Sequence, residues 1–321
     1  MTVTTTTEPG APPRVPIAPV PATAERRPPR PRRRRSVLPY VLITPTVVVL
    51  TVVLGYPVAR LIVQAGQEYG MAQVFGTPAR WIGFDNFRRL FDDTYFWTVL
   101  RRTIVFCFVN VALTMSLGVL VALLLNSLGS KMRLLVSTSL ILAWAMPALT
   151  ATVVWQWIFD SEYGLANWAF DRQGESWLAN PMSFFAVATI IVVWMGIPFI
   201  AFTVYAGLSQ VPADLLEAAS LDGAGAVARF RYIVVPMLKP ILMILIALST
   251  LWDFRVFTQI YVLQQAGGIS RDTNLLGVYT YQLSIGQSDY GAGAAAALLM
   301  IVLMCILTLG YLRSMFKQDN I

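Results

Sequence analysis

VPADLLEAASLDGAGAVARFRYIVVPMLKP, residues Val211–Pro240, decides how this chain folds. It separates two apolar runs, about Phe184–Leu208 and Ile241–Leu263, and is too polar to cross lipid and too long for a simple turn. Pro212 and Asp214 suit the first turn of a helix, where a missing N–H costs nothing and the exposed backbone donors favour a negative charge. That helix runs on through Leu215, Leu216, Glu217, Ala218 and Ala219, and Gly223 breaks it. A second amphipathic stretch puts Phe230, Ile233 and Val234 on one face, with Pro236 expected to end it. The segment reads as two short helices meeting at a glycine on one membrane surface. A hairpin resting on lipid would carry basic residues on its polar face, yet the first half carries Asp214, Glu217 and Asp222. A protein partner fits better: Ala218 and Ala219 admit close approach, and Glu217 offers a charge to an arginine across an interface.

Outward from this loop, 56% of the 321 residues are hydrophobic and 13% charged, a balance that favours lipid as the solvent. Six runs are long enough to span about 30 Å of hydrocarbon. They are Val37–Ala59, Thr103–Leu125, Leu134–Phe159, Phe184–Leu208, Ile241–Leu263 and Ala292–Leu312. The fold class is therefore all-α, a polytopic membrane protein. Pro147 and Pro198 are expected to kink their spans around a cavity. Gly291–Met300, GAGAAAALLM, offers a small-residue face for close helix packing, with a partner subunit as one candidate. Trp81, Trp97, Trp157, Trp168 and Trp177 are expected to form an interfacial belt.

The chain has no histidine, which excludes a Ser-His-Asp triad and His-ligated metal, and Cys107 and Cys305 form no CxxC pair. No catalytic residue and no metal site are expected. Residues 1–35 are rich in arginine and proline and read as a disordered cytoplasmic tail. A basic run can bind nucleic acid, but this one abuts the first span, so fixing topology is the reading and no nucleic-acid partner is expected. With the tail inside, fifteen of the 24 basic residues fall on the cytoplasmic side and eight outside, while Arg255 lies within a span. Both termini are thus expected in the cytoplasm, including residues 318–321, flanking a six-span domain at 36–317 whose coupling loop covers 208–240.

The loop resembles the EAA loop of permease subunits in ATP-binding-cassette importers, through Glu217-Ala218-Ala219, Asp222-Gly223-Ala224, Phe230, Ile233, Pro236 and Pro240. The likeness extends along the chain. IGFDNFRRLFDD with FWTVLRRTIVF (Ile82–Phe106), Ala143–Asn167, VVWMGIPF (Val192–Phe199) and FRVFTQIYVL (Phe254–Leu263) are similar to sugar-type permeases of the maltose, trehalose and glycerol-phosphate group. LQQAGGIS, Leu263–Ser270, departs from that group's Leu-Thr-x-Gly-Gly-Pro.

The resemblance implies the type I importer architecture in a bacterial inner membrane. It also implies a second homologous permease, two ATPase subunits, an extracytoplasmic sugar-binding protein and surrounding lipid. This chain has no GxxxxGK[ST] loop, and none of its three lysines follows a glycine, so ATP and Mg would be bound by the partner ATPases and no cofactor by this chain. Glu217, Ala218, Ala219, Asp222, Gly223, Ala224, Phe230 and Pro236 would form the ATPase-coupling surface. Carrying the group's sugar site onto WMGIPF and LWDFRVF gives Gly196, Phe199, Trp252, Asp253 and Arg255 as the substrate path, with aromatic faces for a pyranose and charges that persist at membrane depth only beside protein or water. An ion-coupled secondary carrier also needs buried charges, but it would show an internal repeat and has no use for such a loop.

Overall fold

The structure, a computed structural model, describes residues 38–318. The basic tail and the last three residues lie outside the described residues. The described chain divides into two units, with the boundary between Val52 and Val53.

In the first unit, α1 (Leu38–Leu50) is helical through Pro45, and its side chains from Val41 to Leu50 are exposed. An apolar helix exposed from Val41 to Leu50 needs a non-aqueous surround.

The second unit begins in a π-helical turn that ends at Gly55 and continues into α2 (Tyr56–Ala65). A short hairpin pairs β1 (Gln67–Glu68) with β2 (Arg80–Trp81) around α3 (Met71–Val74). Then follow α4 (Asp85–Asp92), the long α5 (Thr94–Ser127), α6 (Ser130–Trp144), α7 (Ala148–Ile158) and α8 (Leu165–Phe170). Next come α9 (Pro181–Leu208), α10 (Ala213–Leu221), α11 (Ala226–Arg229), a π-helical turn Phe230–Val234 and α12 (Val235–Phe254). The chain closes with α13 (Thr258–Gln265), α14 (Ser270–Thr273), α15 (Leu276–Tyr281), a third π turn and α16 (Tyr290–Gln318).

Among the described residues, five helices are long and apolar enough to cross a membrane, and a sixth counts only if α6 and α7 are one span. Those two helices meet at 102°, so the run Leu134–Phe159, expected as one span kinked at Pro147, is sharply broken there. The cause is local: Pro147 takes an extended backbone at the start of α7, and Ala145 and Met146 close the end of α6. Pro198, by contrast, lies inside an unbroken α9.

α5 organises the second unit. Asp93 caps it by accepting from the Tyr95 N–H at 2.8 Å. Its buried face recurs every three or four residues, through Phe96, Val99, Thr103, Cys107, Asn110, Thr114, Gly118, Ala122 and Leu125. Small residues on that face let α9 run parallel and close. A Cβ on Gly118 would lie 2.6 Å from Ile200, and one on Gly196 would lie 2.7 Å from Thr114 Cγ2. α12 returns antiparallel, with Leu238 against Gly207 and the Thr250 carbonyl accepting from Cys107 Sγ.

The small-residue face of α16 is used within the chain. Ala294, Ala295 and Ala296 pack with Leu90, Phe96 and Phe254, and a Cβ on Gly291 would fall 3.0 Å from the buried Asn86 amide. The aromatic belt also needs one correction, since Trp177 is half-buried against Phe159 and its indole N–H donates to Asn167, while Trp81, Trp97, Trp157 and Trp168 are exposed.

Candidate functional site

α9 ends in a tight turn, in which Gln210 N–H donates to Gly207 O at 3.0 Å and Val211 N–H to Leu208 O at 3.2 Å. α10 follows at once, with Pro212 before its first residue and Asp214 in its first turn. It is closed by Gly223 at φ +83°, where the Gly223 N–H donates to Ser220 O (3.1 Å) and Ala224 N–H to Ala219 O (2.9 Å). This is the paired 5→2 and 6→1 bonding of a Schellman close, which needs a left-handed residue.

Two side chains seat the segment on the bundle. Leu216 of α10 and Phe230 of the π turn pack against the core of Ile200, Val204 and Leu238. The opposite face is open: Asp214, Leu215, Glu217, Ala218 and Asp222 are exposed, Ala219 and Ala224 partly so, and neither Glu217 nor Asp222 is in an ion pair among the described residues. Leu221, 90% exposed, and Val227, 80% exposed, add apolar surface.

Pro236 does not end the second helix. The backbone stays helical from Ala226 through Phe254, with Pro236 near the start of α12 immediately after the π turn. A proline lacks the donor that a π turn leaves unpaired, so the widened turn absorbs it without a break. The expected pair of short helices is one short helix and the end of a long one.

The path residues divide. Phe199 and Trp252, from α9 and α12, meet edge to face at 5.0 Å, and Trp144 stacks on Phe199 at 6.4 Å. Trp252 remains 40% exposed. Gly196, one turn before Phe199, faces Thr114 of α5. Asp253 is buried with its Oδ2 unpartnered, and Arg255 is exposed where α12 stops, so the two make no ion pair.

Asn110 Oδ1 and Thr114 Oγ1 are also buried without partners. Sequence reading passed over them, although two polar side chains four residues apart in an apolar helix are a readable signal.

At the opposite end of the bundle lies a second polar cluster that was likewise missed. Gln264 Nε2 donates to Thr273 Oγ1 and Asn274 Oδ1, both at 3.0 Å, and Asn274 Nδ2 donates to Tyr95 Oη (2.9 Å) and Gln282 Oε1 (2.6 Å). Tyr279 Oη donates to Asp93 Oδ2 at 3.3 Å, and burial, with Asp93 beside it, pushes that phenol well above its ordinary value. LQQAGGIS opens this region, where Gly267 takes φ +127° and Gly268 lies against the Phe184 ring.

Exposed apolar helices, a sharply broken helix pair and a surface helix joined to two long ones define a multi-pass membrane permease. Residues 114–315 match the family described as binding-protein-dependent transport system inner membrane component, and the chain belongs to that family. It is the membrane subunit of an ATP-binding-cassette importer and is not itself an enzyme. It is 38% identical to the diacetylchitobiose uptake system permease protein DasB of Streptomyces coelicolor, over 100% of this chain and 99% of the relative. It is 34% identical to the trehalose/maltose transport system permease protein MalF of Thermococcus litoralis, over 89% of this chain and 96% of that one. A crystal structure of a bacterial importer of alginate has the same fold, with a TM-score of 0.74 at 21% identity, covering 87% of this chain and 95% of that one.

Proposed function

We propose that this permease forms half of the translocation path of an importer for a di- or oligosaccharide and is driven by a separate ATPase that docks on Ala213–Leu221. In this reading residues 209–225 and both termini face the cytoplasm. A second homologous permease completes the path, two ATPase subunits bind ATP and Mg, and an extracytoplasmic binding protein delivers the sugar at the opposite end. The observation that carries the proposal is mechanical. An exposed helix is held between α9 and the continuous helix Ala226–Phe254, fixed by one left-handed glycine and two half-buried anchors, Leu216 and Phe230. Closure of the ATPases on ATP would push this helix and so tilt α9 and α12 together, opening and closing the path. Exposed Leu215, Leu221 and Val227 are the apolar part of the docking face, with Glu217 as its charge.

Support for a sugar comes from the relatives that carry diacetylchitobiose and trehalose or maltose, and from the Phe199–Trp252 pair, whose ring faces suit a pyranose. Gly196 would act through packing, Asp253 and Arg255 as polar lining. The test is uptake of labelled sugar, with copurification of the ATPase, in Glu217→Lys and Gly223→Pro. Both variants should remain in the membrane, lose transport and release the ATPase; normal uptake in both would refute the coupling.

A further inference from the structure

We infer that the groove between α5 and α9 at the Arg101–Arg102 level is a binding site for an anionic phospholipid, with the headgroup phosphate on Arg101 and an acyl chain along Val105, Val109 and Phe185. The groove has a volume of about 510 Å³ and walls that are almost wholly apolar, with the Arg101 and Arg102 side chains at one end.

Its depth follows from the sequence. The charge-free run of α5 begins at Thr103, directly after the two arginines, so their guanidiniums sit at the edge of the hydrocarbon. Val105, Phe106 and Val109 then descend one to two turns into it, facing Met182, Phe185, Ala186 and Thr189 of α9. Val105 is 56% exposed, so the groove is open sideways. A ligand there needs one long apolar part and one anionic end.

The charges support a phosphate. Arg102 donates to the Arg271 carbonyl at 3.0 Å, whereas Arg101 makes neither ion pair nor hydrogen bond among the described residues. Of the carboxylates toward this end, Glu175 pairs with Arg172 at 3.4 Å and Asp93 caps α5 and accepts from Tyr279, while Asp272, beside Arg271, is in no ion pair among the described residues. A sugar would leave its hydroxyls facing methyl groups and phenyl carbons. A helix from a neighbouring subunit would need an acid at the interfacial level, whereas a lipid brings charge and chain together.

The test uses the assembled importer, purified in mild detergent and exchanged into nanodiscs of phosphatidylglycerol, phosphatidylcholine or a mixture. A photoreactive residue at Val105 should cross-link to lipid, and native mass spectrometry should find bound phosphatidylglycerol in preference to phosphatidylcholine. Arg101→Gln should reduce the retained phosphatidylglycerol by about fivefold, the factor one interfacial arginine contributes toward an anionic headgroup. Ala186→Trp, which fills the groove from its exposed rim, should remove the lipid while leaving subunit assembly intact. Cross-links from Val105 to a partner polypeptide alone, equal retention of the two lipids, or retention unchanged in both variants would each overturn the assignment.

Discussion

Gly118 shows what a single hydrogen atom does in this protein. Any side chain there would enter the space of Ile200 Cβ and Cγ2, both 2.6 Å from a built Cβ, so α5 and α9 could not hold their present distance. Gly118→Val should cost about 1–3 kcal/mol by overpacking. It should lower the midpoint of thermal unfolding in detergent and the yield of membrane-inserted protein, while Ile200→Ala in the same chain should restore part of the loss. Gly223 has a different constraint. Nothing crowds it, and its φ of +83° alone disfavours other residues, by about 1–2 kcal/mol. Both glycines stand in the sequence as the same letter. Gly223 was legible because it ends an amphipathic run. Gly196 was placed in the substrate path by resemblance, and the structure adds that its missing side chain makes room for Thr114, since a motif names a residue and does not say which neighbour fills the space beside it.

At the level of elements, the long helices could be read from charge-free runs, because lipid forbids unpaired backbone groups and so forces such runs to be helical. The breaks were harder. Pro147 and Pro236 are the same residue type, yet one precedes a 102° bend and the other lies in a continuous helix; the difference is the π turn before Pro236, which no local pattern announced. The segment from Gly267 to Gln282 was least legible, because its structure depends on side chains far apart in sequence. Asn274 holds it by joining Gln264, Gln282 and Tyr95. Asn274→Leu would strand those partners in a buried site, at about 1–3 kcal/mol. Amide exchange should then rise across Gly267–Gln282 first, with α5 and α9 keeping their protection; uniform protection throughout would argue against this role.

For the whole molecule, the distribution of charge and the direction of each helix fix which surface loops share a side. Residues 209–225 and the turn at Gly129 lie at one end, and the hairpin Gln67–Trp81, residues 159–180 and residues 266–289 at the other. Single cysteines at Ser220 and Ser176, in a chain whose Cys107 and Cys305 are replaced by Ala, should therefore react from opposite faces of sealed vesicles. A membrane-impermeant maleimide should label Ser176→Cys in right-side-out vesicles and Ser220→Cys only after inversion. Labelling of both from one face would contradict the proposed orientation. The unbroken helix from Ala226 to Phe254 has one more consequence. Twenty-nine helical residues measure about 43 Å, so a rotation of roughly 5° about one end sweeps the other through about 4 Å. Under the proposed coupling, such a beam would work as a crank, magnifying a small shove at its foot into a displacement on the scale of a hydrogen-bond length near Trp252 and Arg255, the proposed path residues.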